Sequence, residues 1–198
     1  MEKGLAHSQC EGEDDYRMEG SRKMLNEDLV SVVRSGNLDA VKQTLAVGAD
    51  VNAADACGMT PLMEASLRNR MKMVRFLLGH GADTEAVEKS FGCNALTFAC
   101  LSGRSEVVNI LLDHGGKVNA HDRFRRTALM AAAATGNMGA VQRLLTSGAD
   151  ARSESKFGTT AADLAAIEGH TEIVALLLPS AASTRILWGE RRPVEKSS

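Results

Sequence analysis

Aromatic side chains supply only 4% of this 198-residue chain, among them a single tryptophan, Trp188. A packed interior therefore has to be built from Leu, Val, Met and Ala, the apolar types that remain. No apolar run approaches the roughly 18 residues of a membrane-spanning helix. The first ten residues, MEKGLAHSQC, lack the apolar stretch of a secretory leader. An intracellular protein, cytoplasmic or nuclear, with no membrane contact is expected. Cysteine is sparse as well. Cys10, Cys57, Cys93 and Cys100 form no Cys-x-x-Cys pair, and no two histidines stand at zinc-finger spacing. Reduced thiols and no metal or other cofactor are expected. Neither sign of charge dominates. The formal net charge of −2 gives no general pull toward nucleic acid or anionic membranes, although a local basic patch is compatible with it. There is no glycine-rich phosphate loop and no Gly-x-Ser-x-Gly, which leaves a catalytic reading without a starting point.

What the chain does have is a period. Gly36, Asn69, Gly103, Gly136 and Gly169 follow one another at steps of 33, 34, 33 and 33 residues, and Gly48, Gly81, Gly115 and Gly148 at steps of 33, 34 and 33. Two independent markers with one step indicate a repeat array. The units run at approximately 25–54, 55–87, 88–121, 122–154 and 155–178. In unit two, Asp55 and Gly58 signal a turn, Thr60 stands where a helix N-cap belongs, and Pro61 takes the first helical position. Leu62 and Ala65 then share one helical face. Val74, Leu77 and Leu78 form a second helical stretch that stops at Gly81. Neither helix is long enough to hold alone, so the units must stack on one another.

These residues carry a resemblance. The step of 33, GMTPL at 58–62, GAD with Val51–Asn52 and Val118–Asn119, and EIVALLL at 172–178 are similar to the ankyrin repeat family, over about 27 to 178. The resemblance implies an all-α repeat solenoid of ankyrin-type stacked helix-turn-helix units with short β-hairpin fingers. It also implies a protein–protein interaction module or adaptor that is not an enzyme, acting as a monomer on a protein partner. Two other readings stay open: a small ankyrin protein of the kinase-inhibitor kind, and an enzyme or metal-dependent protein of unrecognised chemistry. The small pairs Ala65–Ser66, Ala99–Cys100, Ala132–Ala133 and Ala165–Ala166 then serve close helix packing. His80 and His114 share one slot in successive loops, and His170 opens a second helix, so structural roles are expected of them. The departures are local. The family's T-P-L-H histidine is absent from all four versions, Arg125 replaces the turn glycine seen at Gly58, Gly92 and Gly158, and one inserted residue lengthens the loop TEAVEKSFG.

Binding on such a fold is expected on the finger tips and on the concave face of the first helices. The finger series is Phe91, Phe124 and Phe157, beside Lys89, Arg123, Arg125, Arg126 and Lys156. Either these rings pack against neighbouring fingers, or they stand exposed and favour an extended partner segment with acidic and apolar residues. The concave series includes Leu67, Arg68, Leu101 and Ile167, with Ala134 as a gap. It forms either a contact groove or packing against fingers and second helices. Residues 1–24, with EGEDD at 11–15, are expected to be disordered, and Asn26 or Ser21 to cap unit one. The tail 179–198 either caps the last repeat or presents Trp188 as a docking motif. The resemblance also marks Asn52 and Asn119 as hairpin asparagines of the kind that asparaginyl hydroxylases modify, although Lys117 stands where an acidic residue is preferred. The expected sign is a mass gain of one oxygen on tryptic peptides that carry either asparagine. Unmodified peptides from cells would remove the idea.

Overall fold

The computed structural model describes residues 29–103 and 105–178. The segment 1–24, the cap candidates Ser21 and Asn26, Cys10, and the tail with Trp188 lie outside the described residues. Each unit contributes two helices. Unit one has α1, helical over 29–35, and α2 (Leu38–Ala46); unit two has α3 (Pro61–Leu67) and α4 (Met71–Gly79). Units three and four have α5 (Ala95–Leu101), α6 (Ser105–Asp113), α7 (Ala128–Ala134) and α8 (Met138–Thr146). Unit five has α9 (Ala161–Ile167) and α10 (Thr171–Leu177).

The first helices of units two to five are seven residues long, about two turns. That is well short of the roughly 12–15 residues at which an isolated helix becomes even marginal. Their starts are fixed by side chains. Thr60, Asn94, Thr127 and Thr160 each accept a hydrogen bond from the backbone N–H three residues on. In unit five Asp163 also accepts from the Thr160 N–H at 2.9 Å, closing a capping box. The acid that replaces the family histidine is thus a helix cap. Their ends use left-handed residues. At the end of α4 the Gly81 N–H donates to the Leu78 carbonyl and the Ala82 N–H to that of Leu77, a Schellman closure. Asn69, with φ 53°, makes the same closure at the end of α3 through Ser66 and Ala65. His80 and His114 cap their helices, each with its ring Nδ1 2.8 Å from a carbonyl oxygen four residues back.

The helices form two layers. In one, α3, α5, α7 and α9 pack in a row; in the other, α4, α6 and α8 do. Between the layers runs one interior. Val41, Val74, Val108, Val141 and Val174 form a fully buried column with one member per unit, and Ala65, Ala99, Ala132 and Ala165 are fully buried on the first helices. Burying one valine contributes about 1.5–3 kcal/mol. Further ties join the units at the helix turns. The Arg70 guanidinium donates to the Arg34 carbonyl at 3.0 Å, and the His170 Nε2 lies 3.2 Å from the Ala134 carbonyl oxygen. Both side chains fill space that a Cβ on Gly36 or Gly136 would occupy.

The fingers are tighter than the expected hairpins. A single isolated antiparallel bridge, His121 with Thr127, is formed, and no strand occurs among the described residues. At the turn, Gly58, Gly92 and Gly158 have φ of 81°, 77° and 69°, and Arg125 is held at 59° in the same slot. A side chain there costs about 1–2 kcal/mol. Arg125→Gly should therefore raise stability by about 0.5–1 kcal/mol once glycine's greater unfolded-state freedom is deducted. A urea titration checks this, and an unchanged or lowered midpoint would show that the turn carries no strain.

Candidate protein-binding surface

Each finger is held at its base by one acceptor side chain. Asp55 accepts the N–H groups of Cys57 and Met59 at 2.9 and 3.0 Å. Asp122 accepts those of Phe124 and Arg126, both at 2.8 Å, and Ser155 those of Phe157 and Thr159, both at 3.2 Å. The inserted residue of unit three falls inside its finger, between Glu88 and Phe91, and there the acceptor is a longer acid. Glu88 accepts from Ser90, Phe91 and Cys93 at 2.5, 2.7 and 3.1 Å. The extra methylene spans the extra residue. Burial pushes the Glu88 carboxyl up, but the backbone N–H groups led by Cys93 and Ser90 outweigh it and hold the group below the usual carboxylate range.

Successive fingers are joined backbone to backbone. The Lys89 N–H donates to the Cys57 carbonyl at 2.9 Å, Arg123 to Phe91 at 2.8 Å, and Lys156 to Phe124 at 2.8 Å. These bonds put the rings in register. The centroids of Phe91 and Phe124 lie 6.2 Å apart, and those of Phe124 and Phe157 6.1 Å apart with 22° between their planes. Phe91 is 52% exposed and Phe157 76%, with Phe124 half-buried between them. The two alternatives left by the sequence are therefore both realised: the rings pack finger on finger and still face solvent. The Arg126 guanidinium lies 5.3 Å from the Phe124 centroid and pairs with Asp122 at 2.7 Å. Arg123 and Arg125 are exposed.

On the concave side Leu67, Leu101 and Ile167 end α3, α5 and α9 and are exposed, Ile167 by 73%, while Ala134 at the end of α7 is half-buried. Arg68, at the end of α3, is exposed and pairs with a carboxylate of its own helix. Together with Arg34 of unit one it holds Glu64, which is 2% exposed; the Arg34 Nε lies 3.2 Å from that carboxylate. Burial raises the Glu64 pKa, but the hydrogen bonds and charges of Arg68 and Arg34 prevail and keep it below the usual range. Glu64 was not among the expected residues. The signal was the register: Arg34 occupies the slot of Leu67 one unit earlier, so it stands beside Glu64 once adjacent helices are superposed.

Asn52 and Asn119 tie neighbouring units together. The Asn52 amide donates to the Gly81 carbonyl at 3.2 Å and accepts from the Asp83 N–H at 2.7 Å; Asn119 does the same with Gly148 and Asp150 at 3.0 and 2.9 Å. Glu85, in the same slot, accepts from the Lys117 N–H at 3.0 Å. The described thiols are free, with Cys57 exposed. Burial pushes Cys93 up to about 11 and Cys100 up to about 12, so neither is a nucleophile at neutral pH. Among the described residues no group of three or more His, Cys, Asp or Glu could hold a metal ion, and no helix is long and apolar enough to cross a membrane.

A family model described as ankyrin repeats (3 copies) matches residues 29–122 and 115–186. Among curated relatives, the chain is 30% identical over 116 residues, 58% of its length, to the E3 ubiquitin-protein ligase hecd-1 of Caenorhabditis elegans. It is 38% identical over 96 residues, 48% of its length, to the ankyrin repeat domain-containing protein SAT10 of Stachybotrys chartarum. With YahD of Escherichia coli the identity is 31% over 104 residues, 52% of the chain. These matches span 4%, 5% and 51% of the respective relatives.

The pinned acids give stability an acid limb. Glu64 and Glu88 have folded-state values below their unfolded ones, so their contribution is complete above the unfolded value of about 4.3 and is lost as pH falls through the folded values. Glu88→Gln should lower stability by about 1–2 kcal/mol at neutral pH and lose less on acidification to about pH 3 than the wild type does. Urea midpoints across pH measure both effects. An acid limb that the substitution leaves unchanged would mean that Glu88 does not titrate with unfolding.

Proposed function

The chain belongs to the ankyrin repeat family, and from that premise we propose that it is a non-catalytic module that grips a partner protein across its finger tips, with the exposed ends of α3, α5 and α9 as the adjoining contact. Ankyrin repeats are protein–protein interaction modules, and the family is generally non-catalytic. The observation that carries the reading is the ring ladder Phe91–Phe124–Phe157, standing in solvent beside cations. Aligned exposed aromatics next to arginine are the residue types from which binding hot spots are made. Stacking fixes the rings before any partner arrives, so little ordering entropy is lost on this side. The partner that fits is an extended segment with acidic and apolar residues, met by a monomer in the cytoplasm or nucleus.

Alanine at Phe91, Phe124, Phe157 and Arg126 together should abolish capture of proteins that the wild type retains, and remove cross-links between those proteins and the fingers. Helical circular dichroism should be kept. A variant that retains the same partners with the same cross-links would take the ladder out of the binding surface.

A further inference from the structure

Two rows run side by side along fingers three to five. One is the ring ladder, with a step of 6.1–6.2 Å. The other consists of Lys89, Arg123 and Lys156, which precede the rings in the three fingers. The stems of Lys89 and Arg123 lean back over the preceding turn, where a Cβ on Gly58 or Gly92 would come within 2.9 or 3.1 Å of them. Their charged ends reach only main-chain carbonyls, of Ala56 at 3.3 Å and Ser90 at 3.4 Å. No ion pair involves any of the three cations among the described residues. Of the carboxylates in these fingers, Glu88 and Asp122 are buried under the turns, and Glu154, exposed at the base of finger five, forms no ion pair with Lys156. The row therefore presents unneutralised positive charge.

A step of 6.1–6.2 Å is close to two residues of extended chain, about 6.4–6.8 Å and shorter when the strand is strongly twisted. Successive side chains of such a chain point to opposite sides. We propose that the finger row reads an extended acidic peptide in a two-residue register: apolar side chains at i, i+2 and i+4 lie on Phe91, Phe124 and Phe157, and carboxylates at i−1, i+1 and i+3 meet Lys89, Arg123 and Lys156. This rests on the finger tips being the partner-binding face, and adds the sequence pattern that the partner must carry.

A single nucleic-acid strand is the competing polyanion, and it fits less well. The rings are already in contact with one another, with 22° between the planes of Phe124 and Phe157, so a base could enter between them only by parting the fingers.

Fluorescence anisotropy with the full chain and short labelled probes tests the register. The probes are an alternating Leu–Glu peptide, a peptide of the same composition with leucines and glutamates in separate blocks, an alternating Leu–Lys peptide, and oligo(dT). The alternating acidic peptide should bind about tenfold more tightly than the blocked one, weaken with added salt, and lose about tenfold on Phe91→Ala with Phe157→Ala. Lys89→Ser with Lys156→Ser, which leaves the rings in place, should remove most of the salt dependence. Equal affinity for blocked and alternating peptides, preference for oligo(dT), or no saturable peptide binding overturns the proposal. If the four-alanine variant still loses its captured partners in that case, the partner-binding reading stands and the two-residue register alone falls.

Discussion

The constraint on which the whole molecule depends is that no unit can enclose its own apolar face. A helix of seven residues beside one of seven or nine has one side to bury and nothing within the unit to bury it against. The valine column and the buried alanines show the solution: the units share one continuous interior, each packed against its neighbours in the stack. The same step then governs the turns. Arg70 and His170 reach back to the preceding turn, Asn52 and Asn119 reach forward to the next loop, and the finger backbones bond in series.

Charge is sorted by that arrangement. The chain as a whole is slightly acidic, yet the fingers face solvent with lysine and arginine. The reason is that their acids are engaged inside. Asp55, Glu88 and Asp122 turn inward to hold backbone N–H groups, and Glu64 is enclosed by two arginines. Each buried carboxylate is matched by donors, as burial of charge requires. Local sign and net sign therefore disagree for a structural reason, and total charge is a poor guide to what the fingers attract.

Much of this was legible in the sequence, because a repeat writes its packing several times. The step, the threonine caps, the glycine slots and the left-handed place of Arg125 all follow from comparing units with one another. What was not legible depends on neighbours across the stack. A glutamate on a short helix reads as solvent-facing until Arg34 is set beside it, so Glu64 was missed. The ladder could be placed but not its exposure, because accessibility is a property of the assembled fingers. The insertion was assigned to a loop of nine residues; only the three hydrogen bonds of Glu88 locate it in the turn. The fingers are the shortest form of the expected hairpins, since a span of five or six residues leaves room for little more than one bridge.

The single backbone bond between each pair of fingers has a mechanical meaning. Beside it the rings of fingers three to five touch, and Lys89 and Arg123 each reach a carbonyl of the finger before. A load on one tip is therefore shared with its neighbours, like a load on the bound leaves of a spring clamped along one side.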